Sequence, residues 1–172
     1  LGIGSGRADL HARAGGRDMV AVLYLKDGGH PFVNNGSAEL GNLTWILYYY
    51  WNQYRYSMDK SLAVKLYPLL KRSINLYIHF LKKNTDGKYA MTVKTYSPEY
   101  EKGYAFNTNY DLSLLRWGCQ TLLELNKELK ENDPLEDKWK DILANLIPYP
   151  QDKTGYMIAS DVPMTSSHRH YS

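Results

Sequence analysis

The chain has 172 residues with Lys+Arg 21 against Asp+Glu 18 and a formal net charge of +3, a size that suits one domain or a large piece of one. A hydrophobic fraction of 44% supplies a core and excludes wholesale disorder; so small a charge, without a basic stripe, gives no reason to expect nucleic acid. A single cysteine excludes a disulfide framework or a cysteine-based zinc site, no apolar run approaches the ~18 residues of a membrane helix, and the first residues lack a signal peptide's apolar core.

Residues 1–17 hold Arg7, Arg13 and Arg17 without a lysine, and Gly2, Gly4, Gly6, Gly15 and Gly16 crowd the same stretch. The Gly2-x-Gly4 pair has neither the preceding strand nor the third glycine of a dinucleotide-binding turn. Residues 1–34 therefore read as a Gly/Arg-rich linker or an artefactual N-terminal segment, and residues 35–172 as the folded part.

From Gly36 the pattern is helical. Leu40, Leu43, Leu47, Tyr50, Trp51 and Tyr54 recur at spacings of three and four, with Ser37 available as N-cap. A second helix starts from Asp59 and carries the stripe Leu62, Leu66, Leu69, Leu70, Ile74, Tyr77 and Leu81. Pro68 lies inside that stripe and is expected to kink or restart the helix, while Lys82 and Lys83 suit its C-terminal end. Asp86-Gly87 marks a turn, and Lys88 to Lys94 alternates like a short strand. A long aromatic loop then runs from Thr95 to about Thr108. A third helix, capped by Asn107 or Thr108, follows with Leu112, Leu115, Cys119, Leu122 and Leu129. Asp133-Pro134 opens a fourth with Leu135, Trp139, Ile142 and Leu146, stopped by Pro148 and Pro150. A second excursion fills residues 151–172.

The plan is thus helix pair, excursion, helix pair, excursion, an all-α class of antiparallel hairpins with short strands in the connecting loops. Tyr, Trp and Leu cover more helix surface than a two-layer contact needs, which points to a larger helical assembly of which this chain holds part.

The rings are the unusual feature: 16 Tyr, 4 Trp and 3 Phe. Several flank the chemistry. Glu99 follows Pro98 and stands between Tyr96 and Tyr100. A carboxyl among rings loses solvation, which raises its pKa and suits it to act as a general acid, and rings pack well on the C–H faces of a pyranose. The alternative is a solvated loop carboxylate. Glu101 ranks behind it. Asn107, Asn109 and Asp111 form an alternating polar set at a helix start, either caps or groups that hold a sugar hydroxyl. His168-Arg169-His170 could bond a hydroxyl-rich or anionic ligand, or be a charged terminal segment without a role. Arg169 would repel a cation and no third ligand is near, so no metal is expected. No Gly-x-Ser-x-Gly elbow supports a serine nucleophile, and the sequons at Asn35 and Asn42 are frequent chance matches.

Trp45 to Tyr48, Tyr67-Pro-Leu-Leu-Lys71, Tyr96-Ser-Pro-Glu99, Asn109-Tyr-Asp111, Leu146-Ile-Pro-Tyr149 and His168-Arg-His-Tyr-Ser172 follow one another in an order that resembles the catalytic domain of glycoside hydrolase family 95, over roughly residues 35–172. The resemblance implies an α-L-fucosidase-like enzyme, or one acting on a related L-sugar, with a catalytic domain folded as an (α/α)6 barrel and no cofactor. It implies inverting hydrolysis of terminal α-1,2-linked L-fucose, with Glu99 as general acid. His168, Arg169 and His170 would contact the sugar, and Asp111 would line or brace the pocket, with Asn109 and Tyr100 beside it. The family usually has asparagine where this chain has Tyr100, and tryptophan where it has Glu39. Its water-activating residues fall outside this stretch, so the chain is expected to be a partial barrel, an internal fragment inactive alone. A glycan is the expected partner, along with the remainder of the barrel; such hydrolases are typically secreted or periplasmic. Other readings are another (α/α)6 glycosidase, a polysaccharide lyase, or a non-catalytic carbohydrate-binding helical module.

Overall fold

The computed structural model describes residues 40–97, 100 and 104–165. Four helices dominate: α1 (Asn42–Ser57), α2 (Lys60–His79), α3 (Asn109–Leu129) and α4 (Glu136–Asn145). Short strands pair antiparallel between and after them: β1 (Leu81–Lys83) with β2 (Tyr89–Met91), β3 (Thr95–Tyr96) with β4 (Tyr104–Ala105), and β5 (Gln151–Asp152) with β6 (Gly155–Tyr156).

Local chemistry sets the helix ends. Asp59 caps α2 by accepting the Ser61 N–H, and Thr108 caps α3 by accepting the Asp111 N–H, each relieving one orphan donor of a first turn. Met58 and Lys130 close α1 and α3 in the left-handed conformation. Four sequence expectations shift. Helix α1 begins at Asn42 with Gly41 before it, so Ser37 is not its cap. Helix α2 runs unbroken through Pro68, because burial of Ala63, Leu66, Tyr67 and Leu70 around that turn outweighs one lost backbone bond. It ends at His79, and Lys82 and Lys83 belong to β1 rather than to the helix terminus. Helix α4 begins two residues after Pro134, although Asp133 still accepts the Leu135 N–H.

The helices pack as two antiparallel hairpins, α1 with α2 and α3 with α4, joined by the α2–α3 contact. Leu66, Leu70 and Ile74 of α2 face Leu112, Leu115, Cys119, Leu122 and Leu125 of α3, and all are fully buried. Gly118 permits the close approach: a Cβ there would run into the Ile74 side chain. Leu69, expected on the α2 stripe, is 42% exposed, as are Ile46, Tyr49 and Val64 to a greater degree. These side chains face away from the two-hairpin core.

This packing gives the unit two unlike ends. At one end the chain crosses from α1 to α2 and from α3 to α4 by short turns. At the other it makes the long excursions between α2 and α3 and after α4, and the described residues of the predicted site, Tyr100, Asn109 and Asp111, fall there.

Candidate functional site

The first turn of α3 is the anchor of the excursion end. Asp111, predicted to line or brace a pocket, is 1% exposed. Its carboxylate accepts the Tyr77 hydroxyl from α2 at 2.6 Å, the Thr108 hydroxyl at 2.8 Å and the Thr95 hydroxyl from β3. A buried carboxylate is costly unless its lone pairs are filled, and hydroxyl donors from three segments fill them here. Burial pushes the Tyr77 phenol well above its ordinary pKa, and the Asp111 charge pushes it further, so it stays a donor. Thr95 is thereby tied to the helix core, which fixes the strand leading directly to Ser97 and Glu99.

Asn109 does the same for the second excursion. Its backbone N–H donates to the Ile158 carbonyl at 2.9 Å, and its amide group donates to the carbonyls of Met157 and Pro150. The hairpin β5–β6 is therefore clasped to the first turn of α3. Asn107 joins the first excursion to itself: it adopts a left-handed backbone, φ 54°, and its side-chain oxygen accepts the Met91 N–H at 2.7 Å.

Tyr100 links the two excursions to each other. It is 6% exposed, and its N–H returns to the Ser97 carbonyl at 3.2 Å. Its hydroxyl accepts the Thr165 N–H at 2.8 Å and lies 3.1 Å from the Thr165 hydroxyl. Ser97 and Tyr100 bracket Glu99 in sequence, and Thr165 stands three residues before His168. Glu99, Glu101, His168, Arg169 and His170 themselves lie outside the described residues.

Of the described residues of the predicted set, Asn109 and Asp111 share the first turn of α3, and Tyr100 connects to that turn through Ser97 and the Thr95–Asp111 bond. Sequence reading missed Tyr77, Thr95 and Thr165 as parts of this arrangement. Only Tyr77 carried a signal, since a tyrosine on an otherwise aliphatic buried stripe needs a partner for its hydroxyl. Thr95 and Thr165 are ordinary loop threonines until the partner segment is placed beside them.

Around this anchor the excursions carry further rings. Lys94 approaches the rings of Tyr104 and Phe106, Arg116 lies 4.9 Å from the Tyr149 centroid, and Tyr149 meets Tyr156 edge-on. Among the described residues no group of three His, Cys, Asp or Glu side chains could hold a metal ion, and no helix is long and apolar enough to cross a membrane. A depression lined by Lys127, Lys130, Asn132, Glu136 and Lys140 lies at the opposite, turn end and contains none of the predicted site residues.

Comparison with known proteins gives one family. The sequence model of the glycosyl hydrolase family 95 catalytic domain matches residues 31–172. No curated protein matches the chain significantly.

Proposed function

Since the chain belongs to glycoside hydrolase family 95 and carries part of its catalytic domain, we propose that it contributes the acid side of an α-L-fucosidase-like site, acting on terminal α-1,2-linked L-fucose or a related L-sugar of a glycan. The convergence of the two excursions through Tyr100 and Thr165 carries this reading. It draws the residues bracketing Glu99 to within hydrogen-bond reach of the residues leading to His168. An acid and a set of sugar-contacting groups must meet at one ring, and segments 65 residues apart have no local reason to touch.

In the proposed reaction Glu99 gives its proton to the glycosidic oxygen as the bond from that oxygen to the anomeric carbon breaks. A water attacks the same carbon from the opposite face, and its proton passes to a base supplied by the rest of the barrel. The new bond forms on the face opposite the departing glycan, so the anomeric centre inverts. His168, Arg169 and His170 hold the sugar hydroxyls, with Asn109 and Asp111 fixing the excursions from behind. The outward apolar side chains Ile46, Tyr49 and Val64 support a wider (α/α)6 barrel around these two hairpins, and a glycan-degrading role would place the protein outside the cytoplasm, secreted or periplasmic.

The decisive test is Glu99→Gln in the full-length protein, assayed for fucose release from a 2′-fucosylated oligosaccharide. Release is expected to fall by at least about 1000-fold with substrate binding retained. Full retention of activity would remove Glu99 from the acid role. An unsaturated product from a uronic-acid polymer would point instead to a lyase.

A further inference from the structure

We infer that Tyr100 acts as a positioning residue: its hydroxyl is the crosslink between the first excursion at Ser97 and Tyr100, which bracket Glu99 in sequence, and the second excursion at Pro163 and Thr165, which precede His168. The inference rests on the glycosidase reading above and concerns how that site is assembled.

The observations are geometric. Tyr100 is 6% exposed, so its ring is packed away from solvent and does not present a face to a ligand. Its hydroxyl accepts the Thr165 N–H at 2.8 Å, and the hydroxyl proton has two acceptors within reach, the Thr165 hydroxyl oxygen at 3.1 Å and the Pro163 carbonyl at 3.5 Å. At its other end the Tyr100 N–H is held by the Ser97 carbonyl. Ser97 is fully buried and directly follows β3, which Asp111 anchors through Thr95. A continuous path therefore runs from the core through Asp111, Thr95, Ser97 and Tyr100 to Thr165. The β5–β6 hairpin is held by Asn109 farther back, at Pro150, Met157 and Ile158. Tyr100 thus holds the second excursion at Pro163 and Thr165.

This arrangement makes a specific demand on residue type. The side chain must be long enough to bridge two excursions, rigid enough to hold a fixed span, and must end in a group that both accepts and donates. Tyrosine meets all three, with few rotamers to freeze. Phenylalanine keeps the packing and removes the bridge. Small displacements of a catalytic group cost rate far more than binding, because the barrier depends on near-attack geometry.

The test uses Tyr100→Phe and Thr165→Val in the full-length protein. Hydrogen-exchange mass spectrometry of a peptide spanning residues 160–167 reads the crosslink directly. Exchange at Thr165 is expected to be about tenfold faster in Tyr100→Phe. On a 2′-fucosylated oligosaccharide, kcat is expected to fall about 10- to 100-fold with KM within about twofold. The double variant should be little worse than Tyr100→Phe alone, because Thr165→Val removes only the hydroxyl part of a contact that Tyr100→Phe already abolishes. Unchanged exchange, or unchanged kcat, would overturn the inference. A rise in KM at constant kcat would overturn it too, by making Tyr100 a substrate contact. If Tyr100→Phe does not fold, Thr165→Val alone, which keeps the backbone N–H bond and loses only the hydroxyl contact, must still lower kcat by a smaller factor, about two- to fivefold, at unchanged KM. A fully active Glu99→Gln protein would remove the underlying reading instead, and the exchange result identifies that failure separately.

Discussion

Helix α3 ends in two buried aspartates, Asp111 in its first turn and Asp133 just past its last, and they are satisfied in different ways. Each takes a hydroxyl from a tyrosine of α2: Tyr77 donates to Asp111 and Tyr67 to Asp133 at 2.8 Å. Beyond that they diverge. Asp133, at the turn end, is ion-paired with Lys71 and accepts the Leu135 N–H, while Asn126 receives the Asp133 N–H and bonds Glu136. Asp111, at the excursion end, gathers the hydroxyls of Thr95 and Thr108. The Lys71 side chain is 29% exposed, so the ion pair at the turn end reaches the surface. The Asp111 cluster is sealed inside.

The difference teaches what each end is for. Asp133 closes a tight helix-to-helix turn through its local bonds to Leu135 and Asn126 and pins that turn to α2 through Tyr67 and Lys71. Asp111 ties a strand 16 residues upstream to the helix bundle, and so fixes the base of the segment that carries the proposed acid. One device stabilises a connection; the other orders a site.

The comparison can be broken experimentally. The largest effect is expected from Asp111→Ala, which strips the acceptor from three buried hydroxyls. At about 1 kcal/mol for each stranded donor the loss is about 3 kcal/mol, measured by urea unfolding of the full-length protein, and activity should fall beyond what the residual folded fraction explains. A loss below about 1 kcal/mol would show that Asp111 is not the anchor described.

Asp133→Asn should cost less, about 1–2 kcal/mol near neutral pH, and leave activity of the folded protein unchanged. Its signature is in pH. Burial alone would raise the Asp133 pKa, but the bonds from Lys71, the Leu135 N–H and Tyr67, with the Lys71 charge, outweigh it and hold the carboxyl below the usual carboxylate range. A carboxyl with a lowered folded pKa adds stability at pH above its unfolded value of about 3.9, and that stability is lost as pH falls through the folded value. Between pH 6 and pH 3 the wild type should therefore lose stability more steeply than Asp133→Asn. Parallel curves for the two proteins would refute the assignment.

The smallest effect belongs to Lys140, whose pair with Glu136 sits on the exposed face of α4. Lys140→Ala should leave the urea midpoint nearly unchanged, and added salt should erase what difference there is. A larger, salt-resistant loss would mean that the turn end is more cooperative than its exposed geometry implies.

Much of this architecture was legible from residue order. The apolar spacing along each helix, the Asp59 and Thr108 caps and the Asp86-Gly87 turn all depend on neighbours within one or two helical turns. The errors were local competitions settled by packing: α2 continues through Pro68 rather than restarting there, and Lys82 and Lys83 pair across to Ala90 and Tyr89 in a strand. The tyrosines divide similarly. Tyr54 and Tyr77 are core residues, as their helix spacing suggested, while Tyr50 is half-buried and Tyr100 is buried although it lies in a loop.

The sequence by itself determined the four helices, their pairing into hairpins and the family, because periodicity, caps and short motifs are written in adjacent residues. Only the tertiary structure decided that Thr95 would meet Asp111, that Asn109 would clasp Met157, and that Tyr100 would reach Thr165. Those contacts join segments up to 65 residues apart. Their partners are common polar side chains whose role arises when helix packing brings the two excursions to the same end of α3.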